Sequence, residues 1–153
     1  MLNTKHITNS EEETIELGKN FASNITPGDI IYFYGDLGSG KTEFIKGICE
    51  YFKVVDIVTS PTFTIMNKYI GEKKGNEVAI FHIDLYRIEK DKELDEIGFE
   101  DCLFENNSIK LIEWAEKAES HLNKPTYIVK ITPDEDSENS REITISESEV
   151  ILN

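Results

Sequence analysis

Residues Gly35-Asp36-Leu37-Gly38-Ser39-Gly40-Lys41-Thr42 follow the pattern G-x-x-x-x-G-K-[ST], whose chemistry is the cradling of a phosphate chain. Glycines at 35, 38 and 40 permit positive φ and let backbone N–H groups approach phosphate oxygens with no Cβ in the way. Lys41 is placed to reach the β- and γ-phosphates, and the Thr42 hydroxyl to ligate Mg²⁺. Such a loop needs an acid from another strand to hold the metal, and two apolar runs end in one. Asp84 closes Ala79-Ile80-Phe81-His82-Ile83-Asp84, and Glu113 closes Lys110-Leu111-Ile112-Glu113. Both sit at strand ends, where α/β sheets bind their ligands, and spacing alone does not divide the metal and the attacking water between them. His82, inside the first run, reads as a structural histidine.

The nucleotide class is narrowed by what is missing. Guanine-specific loops of this kind mostly carry an Asn-Lys-x-Asp signature, and Asn67-Lys68-Tyr69-Ile70 lacks its acid, so ATP is favoured over GTP. A small-molecule or nucleoside kinase needs several arginines around the transferred phosphoryl group. This chain has two, Arg87 and Arg141, which makes transfer to a small acceptor the weaker reading. A third reading is a nucleotide-gated binding module that hydrolyses its ATP negligibly.

The elements that must position these residues can be traced from Ser10 onward. Ser10-Glu11-Glu12-Glu13 has the form of a capping box, and Leu17, Phe21, Ala22 and Ile25 follow at helical spacing, predicting a helix of about four turns. Pro27-Gly28-Asp29 breaks it. The run Ile30-Ile31-Tyr32-Phe33-Tyr34 reads as a strand buried on both faces, as in a parallel sheet, and Phe44, Ile45, Ile48, Cys49 and Phe52 form the stripe of a helix beyond the glycine-rich loop. Residues 54–58 read as a short strand. Alternation through Phe63, Ile65, Asn67 and Tyr69, then a strand over 78–85, predicts an antiparallel pair joined by a hairpin loop at 71–77. Short acidic helical pieces are expected around Gly98, a buried strand at 109–112 and a helix at 115–121. Tyr127, Val129 and Ile131 are expected to face Ile143 and Ile145 across an acidic loop at 133–140.

Composition bounds the partners. The chain has 153 residues, 39% of them apolar, which supplies one core and reads as one domain. Its 30 Asp and Glu against 16 Lys and Arg give a formal net charge of −14. Proteins that hold a polyanion directly neutralise phosphates with Lys and Arg, so direct nucleic-acid binding is disfavoured. The longest apolar runs are far shorter than the ~20 residues of a membrane-spanning helix, and no apolar segment follows Met1 as in a signal peptide. No membrane association and a cytoplasmic location are therefore expected. Cys49 and Cys102 lie in no metal-ligand or CxxC spacing and read as buried hydrophobes.

Four segments in this order, the loop at 35–42, Ser60-Pro61-Thr62-Phe63, His82-Ile83-Asp84-Leu85-Tyr86-Arg87 and Ile112-Glu113-Trp114, resemble the TsaE (YjeE) family of bacterial tRNA threonylcarbamoyladenosine (t6A) biosynthesis. The likeness runs from about residue 10 to Trp114, with the acidic segment 133–153 weakly matched. The family often has Ala where Ser39 stands and Thr where Glu43 stands, and neither departure removes a group assigned to chemistry. The resemblance implies a three-layer α/β P-loop NTPase fold, its mixed sheet having parallel strands near the phosphate loop and an antiparallel extension. It implies an ATPase using ATP and Mg²⁺ that binds the TsaD–TsaB heterodimer and supports its multiple turnover, with tRNA, modified at A37, met only through that complex. Residues 35–43 would contact nucleotide, with Lys41 also catalytic. Ser60 and Thr62 would belong to a loop that senses the γ-phosphate. Asp84 matches the magnesium acid and Glu113 the acid that orients water, both near the metal with Thr42, and Trp114 would lie beside the nucleotide.

Overall fold

Ser10 Oγ accepts a hydrogen bond from the Glu13 N–H at 3.1 Å, and the Glu13 carboxylate accepts in turn from the Asn9 N–H, so the capping signal starts a helix where the sequence puts one. The computed structural model describes residues 2–36, 38–59, 66–90, 92–96, 98–117, 124–135 and 137–148. In chain order its elements are β1 (Asn3–Thr8), α1 (Glu11–Ala22), β2 (Ile30–Tyr34), α2 (Lys41–Tyr51), β3 (Met66–Lys73), β4 (Asn76–Asp84), α3 (Lys92–Glu96), α4 (Phe99–Phe104), β5 (Ser108–Glu113), β6 (Tyr127–Pro133) and β7 (Arg141–Glu147). All seven strands form one sheet in the order β1-β7-β6-β2-β5-β4-β3. β2 runs parallel to β5 and β6, and β4 parallel to β5, while β3 and the β7–β1 pair join antiparallel at the two edges.

Side-chain alternation along the central strands divides the core in two. Ile31 and Phe33 of β2, Val78 and Ile80 of β4, and Ile109 and Leu111 of β5 pack with Phe21 of α1 and Phe44, Ile45 and Ile48 of α2. The other face, Ile30, Tyr32, Phe81, Ile83 and Ile112, packs with Leu94 of α3 and Phe99 and Cys102 of α4. Helices on both faces of a mixed sheet make the three layers that the sequence leads one to expect. Among the described residues, no helix is long and apolar enough to cross a membrane.

Two glycines let α1 and α2 cross at backbone contact. A Cβ on Gly47 would lie 1.9 Å from the Ile15 carbonyl oxygen, and one on Gly18 would lie 2.2 Å from that of Phe44. Both collisions are with backbone, so no rotamer change relieves them. Helix propensity alone would make Gly47→Ala stabilising by about 1 kcal/mol, whereas overpacking of this kind costs about 1–3 kcal/mol or more. The collision is the larger effect: we expect Gly47→Ala to lower the melting temperature by several degrees in a thermal unfolding experiment, and a rise would mean that the helices do not cross this closely.

Several expectations are corrected. Residues 54–58 form no strand: Val55 is 93% and Ile57 87% exposed, Val54 packs half-buried against the core, and Val58 is buried in it. β-branched residues signal compatibility with a sheet, but a strand also needs a partner edge. The first helix ends at Ala22, capped by Ser23, and Ile25 is buried from the loop after it. The hairpin turn is only Lys74-Gly75, both at positive φ (52° and 80°), as a two-residue turn between twisted strands demands. Gly71 is therefore inside β3, where a Cβ would meet the Phe52 carbonyl oxygen at 2.7 Å. β1 carries almost no signal in the sequence, because an edge strand with polar residues on both faces has hardly any hydrophobic period. Of the helix at 115–121, only residues 115–117 are described, as a single tight turn.

Candidate functional site

Sheet order brings the functional side chains together. β5 lies between β2 and β4, with Phe33 opposite Glu113 and Asp84 opposite Glu113 across the two ladders. The loop at 35–40 leaves β2 at the same edge and enters α2. Alternation then sets His82, Asp84 and Glu113 on the face that carries α2, whose first residue is Lys41. Four residues scattered over 73 positions thus converge because three neighbouring parallel strands end level with one another.

Within the loop, Gly38 and Gly40 take φ of 79° and 110°, left-handed values that L side chains rarely adopt. Lys41 is only 6% exposed. Its Nζ donates to the Gly35 carbonyl at 2.6 Å, lies 3.7 Å from Glu113 Oε1 and sits 4.6 Å from the centre of the Trp114 ring. Glu113 is likewise buried, and its other oxygen, Oε2, is 2.8 Å from His82 Nε2. Burial of an unpaired carboxylate is costly, and the lysine and the imidazole together satisfy this one.

Asp84 Oδ1 accepts from the Tyr86 N–H at 2.9 Å. Burial raises the pKa of its carboxyl above the ordinary aspartate value; the backbone hydrogen bond opposes that, and the charge of Glu113 adds to it. Trp114 takes φ of 59°, uncommon for a bulky residue, and its ring lies 5.0 Å from that of Tyr86. Its Nε1 is buried with no hydrogen-bond partner among the described residues.

Gly38, Gly40, Lys41, Thr42, Glu43, Asp84, Glu113 and Trp114 line one cavity of about 340 Å³. Of the other residues singled out in the sequence, Gly35 supplies its carbonyl to Lys41, and Ser39 is buried behind the loop. Asp36 is exposed; its backbone carbonyl accepts from the Ser39 N–H within the turn, and it lines a separate cavity with Lys130 and Thr132. Leu37, Ser60 and Thr62 lie outside the described residues.

Arg141 is the residue that sequence reasoning left out of the site. From the start of β7 its Nε donates to the Ser39 carbonyl at 2.8 Å, and its Nη1 donates to those of Glu138 and Ser140 at 2.7 and 3.0 Å. Its guanidinium therefore grips the loop from behind. With Ser10, Glu11, Thr14 and Asn139 it lines a second cavity of about 250 Å³ that shares Gly38, Gly40 and Glu43 with the first. The available signal was that it is one of only two arginines; the other, Arg87, is exposed.

A glycine-rich loop between a central parallel strand and the helix after it, with the acids of neighbouring strands at its lysine, defines a P-loop NTPase fold. The sequence profile of the family described as threonylcarbamoyl adenosine biosynthesis protein TsaE matches residues 8–143. The chain belongs to the TsaE family. It is 40% identical over 127 residues to the tRNA threonylcarbamoyladenosine biosynthesis protein TsaE of Rickettsia conorii, covering 82% of this chain and 69% of that one. To the protein of the same name from Bacillus subtilis it is 35% identical over 146 residues, covering 95% and 87%. A crystal structure of Bacillus subtilis YdiB superposes with a TM-score of 0.73 at 32% identity, covering 95% of this chain and 86% of that one. The family match thus reaches past Trp114 into β7, further than the four motifs suggested, and includes Arg141.

Proposed function

We propose that this TsaE-family chain binds Mg²⁺·ATP at the glycine-rich loop and hydrolyses it, slowly alone and faster when docked on a TsaD–TsaB pair, in support of repeated t6A formation at position 37 of tRNA. The observation that carries the reading is the single cavity in which Lys41, Thr42, Asp84 and Glu113 meet the loop. Its chemistry fits the nucleotide. Gly38 and Gly40 have the backbone geometry of a phosphate cradle, and Trp114 Nε1 is a buried donor with no acceptor among the described residues. It fits magnesium too, which is held by one or two carboxylates together with phosphate oxygens rather than by an all-protein cage. Magnesium, when bound, neutralises charge on the phosphate oxygens, and Thr42 and Asp84 are the residues proposed to hold it, with Glu113 near.

In this reading Lys41 turns from Glu113 to the β/γ-phosphates, and Glu113, released from the ion pair, orients the attacking water. Trp114 closes one wall. The second cavity, with Ser10, Glu11, Thr14 and Arg141, is the proposed place for the nucleoside end of ATP. tRNA would be held by the partners, a reading that the net charge of −14 supports, and the proposed location is the cytoplasm.

Phosphoryl transfer is catalysed mostly by positioning and charge stabilisation, and an arginine supplied by a partner can contribute 10³–10⁵ in rate. Here Arg141 is engaged by loop carbonyls and Glu113 by Lys41 and His82, so the chain alone is expected to bind ATP adequately and turn it over slowly. The test is steady-state phosphate release from ATP, without any acceptor, by the chain alone and with the TsaD–TsaB pair. Stimulation by the pair is expected. Full-speed turnover by the lone chain would show the site complete without a partner, and release that depends on a small acceptor would make it a kinase.

A further inference from the structure

His82 has no part in the chemistry assigned so far, yet its imidazole is fully buried at the heart of the site. Nε2 lies 2.8 Å from Glu113 Oε2, while Oε1 of the same carboxylate is the oxygen that faces Lys41. The Tyr69 ring lies against the imidazole, with centroids 6.4 Å apart, and the Tyr69 hydroxyl donates to the Thr59 carbonyl and accepts from Asn67 Nδ2. Nδ1 is buried and has no hydrogen-bond partner among the described residues. A neutral imidazole carries one N–H, and an ionised carboxylate oxygen can only accept. The proton therefore belongs on Nε2, leaving Nδ1 a buried lone pair with no donor among the described residues. The opposite tautomer would set a lone pair against the carboxylate.

We propose that His82 is the positioning residue of Glu113: its Nε2–H holds Oε2 and so sets the rotation of the carboxylate that points Oε1 into the phosphate cavity. The inference rests on the ATPase reading and deepens it. Among the described residues Glu113 has two holders, and Lys41 is the one that must turn to the phosphates when nucleotide arrives. From then on His82 alone keeps the carboxylate aimed. Loss of aim acts on the transition state far more than on binding, so it separates turnover from affinity.

Two variants and one spectroscopic measurement test this. His82→Phe keeps the bulk of the ring and removes the N–H; His82→Gln keeps an N–H donor at a similar reach. In the nucleotide-free protein, ¹⁵N–¹H correlation spectra of the His82 ring are expected to show the proton on Nε2, and Glu113→Gln is expected to shift that proton upfield as a charged acceptor becomes a neutral one. His82→Phe is expected to keep its ATP dissociation constant within about threefold of the parent while phosphate release with the TsaD–TsaB pair falls about ten- to a hundredfold, the usual effect of losing an orienting outer-shell partner. His82→Gln is expected to recover most of that loss. A proton on Nδ1, a resonance indifferent to Glu113→Gln, or equal losses of affinity and turnover without recovery by Gln would overturn the assignment. The spectra need no variant at His82, so they decide even if His82→Phe does not fold. If the unaltered protein and its partners release no phosphate at all while the spectra are as expected, the hydrolysis reading falls and the orientation of Glu113 by His82 stands.

Discussion

Lys41→Ala is expected to weaken ATP binding by about ten- to a hundredfold and to abolish phosphate release. A charge-assisted contact to phosphate is worth roughly 1.5–3 kcal/mol, and the affinity range follows from it. The structure adds a second consequence. Lys41 and Glu113 are buried against each other, so removing the lysine leaves a buried carboxylate held, among the described residues, by the imidazole of His82. Breaking a buried ion pair from one side costs roughly 3–5 kcal/mol in a dry interior, and less here because the pair lines a cavity that water can enter. Lys41→Ala should therefore melt at a lower temperature than the parent. Adding Glu113→Gln should restore much of the stability and none of the ATP affinity. Calorimetric titration with ATP and a melting curve for each protein separate the two effects. Unchanged ATP affinity in Lys41→Ala would sink the assignment of the loop to phosphate.

The second large effect divides the two carboxylates. Glu113→Gln should bind Mg²⁺·ATP about as well as the parent and lose roughly 10²–10⁴ in turnover, the range expected when a general base or water-orienting group is removed. Asp84→Asn should instead raise the magnesium concentration needed for half-maximal activity. Equal magnesium dependence in the two variants would mean that the roles are shared or reversed. Asp84→Asn carries a further signature without nucleotide. Because burial raises the Asp84 pKa in the folded protein above its usual value of 3.8, the carboxyl favours folding below its unfolded pKa, and that contribution is lost as pH rises through the folded pKa. Asparagine has no such loss, and its amide oxygen can still accept from the Tyr86 N–H. The melting temperature of Asp84→Asn should thus exceed that of the parent at neutral pH, and the gap should close toward acid. A gap that widened toward acid would mean that the folded state favours ionised Asp84.

What could be read from the chain alone was whatever is encoded in short runs. The glycine spacing at 35, 38 and 40 followed by Lys41 and Thr42, the continuous apolar run of β2, the capping box at Ser10 and the stripe of α2 are each local, because backbone geometry and helix or strand periodicity act over a few residues. Asp84 and Glu113 could be named as acids at strand ends for the same reason. Which of them meets Lys41 could not, since that depends on β5 lying between β2 and β4, and strand order is set by packing of the whole sheet. Tertiary structure alone also turned His82 from a buried histidine into a partner of Glu113, and drew Arg141, 100 residues beyond Lys41, onto the carbonyls of the loop. The same dependence on distant partners explains the failures. Residues 54–58 have strand-forming side chains and no sheet edge to join, while β1 has hardly any pattern of its own and is a strand because β7 offers it one. Side-chain type and spacing determine what a segment can do, and the hydrogen-bonding edges and charges brought to it from elsewhere in the chain decide what it does.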